Sequence, residues 1–152
     1  MSPETMLGEH ATSSRMRAVM HSGQVLLSTT RPTRKAAAVV PPELDGQICS
    51  TGFAILECSD EIVPSYLFHI LRTDLLMYEF KRRSSGSSYP ALNKDMDLPL
   101  VKIPVPPKDI QLEIVSEISA VMERSEKIEM EIESKRKEAK ALFEIELLDM
   151  NP

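Results

Sequence analysis

Short apolar runs bounded by glycine and proline dominate the first part of the chain and predict β-strands. Residues 24–30 (QVLLSTT) are aliphatic and β-branched and follow Gly23. Residues 36–40 (AAAVV) stop at Pro41, and a turn is expected at residues 45–46. Residues 48–58 (ICSTGFAILEC) predict a third strand region with room for a bulge at Gly52.

The N-terminal segment is weakly patterned. Ser13 or Ser14 would cap a short helix that carries Met16, Val19 and Met20. The first dozen residues are expected to be disordered.

Apolar residues recur every three to four positions in residues 62–83 and predict a helix. It is the main helix of residues 23–108, which we call the head. Pro64 lies in its first turn, where a missing N–H leaves no helical hydrogen bond unmade. The pattern leaves room for a break at residues 73–74. The apolar positions of its predicted face are Tyr66, Leu67, Ile70, Leu71, Leu75 and Tyr78, and Phe68 and Leu76 widen this face.

Residues 86–107 predict a turn followed by an extended, proline-bounded segment. Gly86 opens a Gly/Ser turn, and Tyr89 is held in extended backbone because it precedes Pro90. The prolines of residues 98–107 (LPLVKIPVPP) forbid a central strand. This segment should therefore lie at a sheet edge or serve as a connector.

Residues 109–149 carry a heptad repeat of apolar positions, which is typical of a coiled coil. About 40 residues at ~1.5 Å each would form a rod of roughly 60 Å. Two positions of each heptad would face a partner helix, and we call them the seam. The first is occupied by Ile114, Val121, Ile128, Lys135 and Leu142, and the second by Ile118, Ser125, Ile132, Ala139 and Glu146.

A lone helix of this length cannot cover its own isoleucine stripe, so we expect a partner helix. The alternative is a core helix folded back on its own head, which the length of the helix disfavours. The predicted dimerisation residues are Ile114, Ile118, Val121, Ser125, Ile128, Ile132, Ala139 and Leu142.

These elements predict an α+β fold, with a small mixed β-sheet head, a packed helix and a long C-terminal coiled-coil helix. The expected boundaries are 1–22 for a poorly ordered or short-helix N-terminal segment, 23–108 for the head and 109–152 for the helix.

Charge separates the head from the helix. Residues 1–108 contain 12 Lys and Arg against 11 Asp and Glu, whereas residues 109–152 contain 6 against 12. The head is thus near neutral although it holds local basic clusters, and local charge is what a partner meets.

The sequence predicts a cytoplasmic protein. Cys49 and Cys58 fit no zinc or redox spacing and are expected to be free thiols in a reducing compartment. No stretch approaches the ~18 apolar residues that a membrane span requires. Glu4 and Glu9, without an apolar core, argue against a secretion signal.

Two basic segments of the head are candidate DNA contacts, because Lys, Arg and hydroxyl donors bind phosphates. The alternatives are a solvated loop for the first segment and cations that complement a helix dipole for the second. The predicted DNA-binding residues are Thr30, Arg31, Thr33, Arg34, Lys35, Lys81, Arg82, Arg83, Ser87, Ser88, Tyr89, Asn93 and Lys94.

No catalytic pattern is present in the sequence. His10, His21 and His69 share no motif with Ser or Cys, and no Walker spacing, nucleophile elbow or metal motif occurs. His69 is expected to be a structural imidazole. We therefore expect no catalytic residue, no metal and no cofactor, and a small hydrolase or transferase is disfavoured.

The order of the motifs resembles the DNA specificity subunit of type I restriction-modification systems. The segments that carry the likeness are GQVLLSTTRP, STGFAILE, PSYLFHILRTDLL, GSSYPALN and VKIPVPPKDIQLEIVSEI, over about residues 23–148. Ile110 departs from the family pattern, which usually has Glu before the Gln. Gln111 alone predicts only a polar helix start.

The resemblance implies target-recognition domains, each followed by a long helix, with two helices paired antiparallel so that a bipartite DNA sequence is recognised. It implies double-stranded DNA and the type I methyltransferase and restriction subunits as partners. S-adenosylmethionine is expected only in the methyltransferase subunit.

The chain is expected to be the C-terminal part of one recognition domain plus its helix, so that a two-headed subunit would be a homodimer. The alternative is a truncated protein that no longer binds DNA and uses the helix only for dimerisation.

Overall fold

The computed structural model describes the backbone of residues 6–7, 18–86 and 89–149 and the side chains of residues 18–86 and 89–147. Its strands are β1 (Met6–Leu7), β2 (Ala18–Val19), β3 (Val25–Ser28), β4 (Ala37–Val39), β5 (Ile48–Cys49) and β6 (Phe53–Glu57). Its helices are α1 (Pro64–Ile70), α2 (Asp74–Arg83) and α3 (Lys108–Asp149). Short 3-10 turns occur at Pro32–Arg34, Pro42–Leu44 and Leu98–Leu100.

The strands form a four-stranded sheet in the order β1-β6-β3-β4 and a two-stranded ribbon of β2 and β5. Every strand pair within the described residues is antiparallel, whereas a mixed sheet was predicted. The predicted α+β class is confirmed. A short loop connects β3 to β4 and suits antiparallel pairing, since a parallel neighbour would need a long crossover.

The central strands β3 and β6 bury side chains on both faces of the sheet. Val25 and Leu27 alternate with Leu26 along β3, and Ala54 and Leu56 alternate along β6. One set packs beneath α1 and α2 in the main core. The opposite face, with Leu26, Phe53 and Ile55, covers the smaller cluster of Met20, Val40 and Cys49.

The helix predicted over residues 62–83 is divided in two at Thr73. The Thr73 hydroxyl donates to the carbonyl of Ile70 at 2.8 Å and accepts from the N–H of Leu76 at 3.4 Å, which caps α2. The break changes the phase of the buried face. Leu75 and Tyr78, predicted to be buried, are 65 % and 66 % exposed.

The residues buried in α2 are Leu76, which was predicted, together with Met77 and Phe80. In α1, Tyr66 and Leu67 are buried as predicted, and Leu71 just after it is buried as well. The predicted face was therefore correct up to the break, whereas beyond it Leu76 was correct and Leu75 and Tyr78 were wrong.

Two further local predictions need correction. Residues Ala18–Val19 form β2, where a short helix was predicted, because they pair with Ile48–Cys49. Ser13, Ser14 and Met16 lie outside the described residues, as do residues 1–5 and 8–12. Residues 48–58 form two strands in different sheets rather than one bulged strand.

A buried glutamine attaches the start of α3 to the head. Gln111 is fully buried. Its Oε1 accepts from the N–H of Val63 at 2.9 Å, and its Nε2 donates to the carbonyls of Glu61 at 2.8 Å and Pro106 at 2.7 Å. The hydroxyl of Tyr66 donates to the carbonyl of Pro104 at 3.0 Å beside it. The proline segment is thus a connector whose backbone groups are satisfied by side chains.

The chain divides into two compact units, residues 1–115 and residues 116–152. The first unit contains both sheets, α1, α2 and the first turns of α3. The second unit is helical throughout its described residues.

Replacing Gln111 with Leu should lower the free energy of unfolding of the head by about 2–4 kcal/mol, because three buried backbone groups lose their partner. Urea unfolding followed by tyrosine fluorescence measures this change, since Tyr66 is buried in the head. The matched control is Glu113→Leu on the same helix turn, an exposed site where the change should stay within about 0.5 kcal/mol. Equal midpoints for the two variants would contradict the prediction.

Candidate nucleic-acid interface

The loop that follows β3 presents its basic side chains to solvent. Pro32 is buried at the base of the 3-10 turn, while Thr33, Arg34 and Lys35 are exposed. Arg31 and Lys35 flank this turn with φ of 50° and 57° in the left-handed region. Non-glycine residues rarely adopt this backbone, and such positions cluster at functional sites.

The second predicted segment lies directly beside this loop. The N–H of Arg31 donates to the carbonyl of Pro90 at 2.8 Å, and the N–H of Leu92 donates to the carbonyl of Thr29 at 2.9 Å. Thr30 and Ala91 form a β-bridge between the same two segments. Residues 30–35 and 89–94, far apart in the sequence, thus form one surface, which we call the basic surface.

Gly86 shapes the turn that leads into the second segment. Its φ is +99°, and a Cβ there would meet the carbonyl oxygen of Tyr89 at 3.0 Å. Ser85 exchanges two hydrogen bonds with Ala91, which closes the turn. Glycine is therefore required for the close approach of the two backbones.

Arg31 and Tyr89 stack on one another within the basic surface. The guanidinium carbon of Arg31 lies 4.3 Å from the centre of the Tyr89 ring, which is the geometry of a cation–π interaction. Tyr89 is 68 % exposed. The pair therefore offers a held guanidinium and an open aromatic face at the surface.

Lys35 makes an ion pair that the sequence did not predict. Its Nζ lies 2.6 Å from Oδ1 of Asp74, the first residue of α2. The hydrogen bond from Lys35, and then its charge, lowers the pKa of the Asp74 carboxyl below its usual value. The two side chains are 42 % and 94 % exposed, so solvent reaches both partners.

The cations at the end of α2 contact Glu79 and the neighbouring backbone. Arg82 Nη2 lies 3.0 Å and Arg83 Nε 3.3 Å from Oε2 of Glu79. Arg83 also donates to the carbonyl of Leu100 at 3.2 Å, and its side chain is 22 % exposed. Arg83 therefore connects α2 to the following 3-10 turn, whereas Lys81 is exposed.

The remaining predicted DNA-binding residues differ in how much of each side chain is available. Asn93 Oδ1 accepts from the N–H groups of Asp95 at 2.9 Å and Met96 at 3.1 Å, so this oxygen shapes a turn. Thr30 is exposed and Lys94 is half-buried. Ser87 and Ser88 lie outside the described residues.

The seam of α3 carries exposed apolar side chains. Exposure is 63 % for Val121, 51 % for Ile128, 47 % for Ile132 and 59 % for Leu142. Ser125 and Ala139 are also exposed, while Ile114 and Ile118 are half-buried. Apolar side chains also extend beyond the seam as Met122, Phe143 and Ile145, which the heptad analysis did not include.

The titratable groups elsewhere in the head fit structural roles. His69 is half-buried with its ring edge-on to Phe68, and burial, followed by the charge of Arg72, lowers the pKa of its imidazole. Cys49 and Cys58 are free, and burial raises the pKa of the Cys58 thiol. Within the described residues no group of three or more His, Cys, Asp or Glu could hold a metal ion. In the same part of the chain no helix is long and apolar enough to cross a membrane.

The family model of the type I restriction modification DNA specificity domain matches residues 22–136, which is well over half of the chain. The chain belongs to this family. The resemblance inferred from motif order is thereby confirmed.

Two solved structures are similar to this member of the specificity-domain family. The crystal structure of the HsdS subunit from Thermoanaerobacter tengcongensis is 41 % identical, with a TM-score of 0.66 over 78 % of this chain and 30 % of that subunit. A chain from work on complex assembly and conformational transition of the type I R-M system is 37 % identical, with a TM-score of 0.76 over 93 % of this chain and 37 % of that one. The chain therefore spans roughly a third of the length of these solved chains. No curated protein matches it.

Sequence inspection missed the contacts of two residues, Gln111 and Asp74. Gln111 was expected to be only a polar helix start, and Asp74 was not singled out. A polar residue inside a proline-helix junction was the available signal for Gln111. No local signal pointed to Asp74, because its partner Lys35 is distant in the sequence.

Replacing Lys35 with Met should raise the pKa of Asp74 toward its ordinary value, because the hydrogen bond and charge that lower it are removed. Carboxyl-carbon NMR titration measures this shift. The pKa of Glu79, which Arg82 lowers, serves as the control and should not change. An unaltered Asp74 titration would mean that the ion pair does not form in solution.

Proposed function

We propose that this chain is a DNA-recognition part of a type I restriction-modification complex, without catalytic residues of its own. Its basic surface would contact double-stranded DNA. It would position the methyltransferase and restriction subunits on a bipartite target, with S-adenosylmethionine bound by the methyltransferase subunit. The free thiols of Cys49 and Cys58 and a DNA target suit a cytoplasmic location.

The observation that carries the proposal is that the basic loop of residues 30–35 is joined to the segment of residues 89–94 on one surface. Backbone hydrogen bonds join Arg31 to Pro90 and Leu92 to Thr29, and the Arg31 guanidinium lies over the ring of Tyr89. Arg34 and Lys35 are exposed and placed to bind phosphates, which supply the sequence-independent part of DNA binding. Arg31 is held against Tyr89, and a held guanidinium suits the recognition of base edges.

Changing Arg31, Arg34 and Lys35 together to Ala should weaken binding to duplex DNA. The slope of the logarithm of the binding constant against the logarithm of the salt concentration should also become shallower. The change should be about 0.9 for each phosphate that these cations neutralise in the unchanged chain. Fluorescence anisotropy with a labelled random-sequence duplex, at low and moderate salt, measures both quantities. The chain is tested alone and with a methyltransferase subunit of the same family.

The matched control is Arg124→Ala with Lys127→Ala and Arg136→Ala, which removes the same residue types from exposed positions of α3. This triple variant should bind as the unchanged chain does. Absence of salt-sensitive binding in either setting would instead favour the alternative, a dimerisation protein that does not bind DNA.

We also propose that a second copy of the chain covers the stripe on α3. The exposed apolar positions recur at heptad spacing, with Val121, Ile128 and Ile132 near the middle. Burying such side chains contributes about 1.5–3 kcal/mol for each fully covered residue. A helix that leaves them in water is less stable than a paired one.

Charge favours an antiparallel arrangement of the two copies. Parallel, in-register pairing would set Lys135 against the partner's Lys135 in the seam. Antiparallel pairing that sets Ile128 against the partner's Ile132 sets Lys135 against the partner's Ser125 and Leu142 against the partner's Ile118. Lys135 and the partner's Lys135 are then separated, and Lys135 shares a layer with the partner's Ser125.

Introducing Ile118→Asp together with Ile128→Asp should convert the dimer to monomer, because buried unpaired carboxylates are costly. Sedimentation equilibrium measures the mass. The control pair is Ser119→Asp with Met130→Asp, which adds the same charge at exposed positions outside the seam and should remain dimeric. An unchanged mass for the seam variant would refute the pairing.

A further inference from the structure

The ion pair between Lys35 and Asp74 lies at the edge of the basic surface, and its acid is almost fully in solvent. The Nζ–Oδ1 distance is 2.6 Å, while the Asp74 side chain is 94 % exposed. A carboxylate and a phosphate both accept charge-assisted hydrogen bonds from an ammonium group. The position that Asp74 occupies on Lys35 is therefore one that a phosphate could take.

We propose that Asp74 is an internal competitor for Lys35 that limits the phosphate binding of the basic surface. In the free protein the carboxylate neutralises Lys35. Binding of duplex DNA then exchanges this carboxylate for a backbone phosphate, and the cost of separating the pair is subtracted from the affinity. Asp74 thereby sets the strength of the sequence-independent part of recognition. This inference rests on the proposed DNA binding.

The competing explanation is local to α2. Asp74 is an acid in the first turn of a helix, where the dipole stabilises a negative charge whether or not DNA is bound. That role predicts a change in helix stability without a change in DNA affinity. The two explanations differ in whether the effect of Asp74 depends on Lys35.

The test compares Asp74→Asn with the unchanged full chain, using a labelled random-sequence duplex in a series of salt concentrations, with the methyltransferase subunit present. Asn keeps the size and the oxygen acceptor but removes the charge. Because exposed ion pairs contribute little, affinity at low salt should rise about two- to fivefold. The log–log salt slope should become steeper by up to about 0.9, because the freed Asp74 carboxylate of the unchanged chain takes up a cation on binding and Asn does not.

Two controls isolate the interaction. Asp109→Asn removes the same charge from the first turn of α3 and should leave the affinity unchanged. In a Lys35→Ala chain, Asp74→Asn should give no further rise in affinity, because no ammonium is left to release. A rise that disappears with Lys35 supports the inference.

Equal affinities for Asp74→Asn and Asp109→Asn, or a rise that persists in the Lys35→Ala chain, would overturn the inference while the proposed DNA binding stands. If neither the unchanged chain nor Asp74→Asn binds duplex DNA, the proposed function fails and the inference fails with it.

Discussion

The extended backbone of β3 and its continuation to Arg31 is the constraint on which the rest of the head depends. β3 pairs with β6 on one side and β4 on the other, and its side chains pack into both hydrophobic clusters. Beyond Ser28 the same backbone continues to make ladder-like bonds. Thr29 is buried. Its N–H and its hydroxyl both donate hydrogen bonds to the carbonyl of Gly52, at 2.8 and 2.9 Å. The basic surface is therefore built on a strand that is paired on both sides and packed on both faces.

This anchoring has a functional consequence. Loops that project from a packed scaffold are common binding sites, because the scaffold fixes where their side chains point. Here the loop is held at both ends by left-handed residues and at its side by residues 90–92. Less conformational entropy is then lost when a ligand orders the loop.

The junction between the head and α3 shows how polar groups near a proline-rich connector are satisfied. Proline lacks an N–H and disrupts regular pairing, so the carbonyls of such a segment need other partners. Gln111 and Tyr66 supply them at Pro106 and Pro104. In the described residues no buried side-chain nitrogen or oxygen is left without a hydrogen-bond partner. The polar network is thus complete, which is the condition under which buried polar groups stabilise a fold.

Residue pattern alone determined the elements that depend on local periodicity. The strand at residues 24–30, the break near Thr73, the proline connector and the long helix follow from spacing and turn residues, and the order of motifs indicated the family. These features depend on neighbours in the sequence, so they are visible without coordinates.

Tertiary structure decided the features that depend on distant pairs. The break at Thr73 rotated α2 so that Phe80 was buried and Tyr78 exposed. Ala18–Val19 became a strand because Ile48–Cys49 offered a partner. The joining of residues 30–35 to residues 89–94, the pairing of Lys35 with Asp74 and the burial of Gln111 likewise depend on which segments meet across the folded head. Local propensity contains no information about those contacts, since the free energy that selects them comes from packing and hydrogen bonding between segments far apart in the chain.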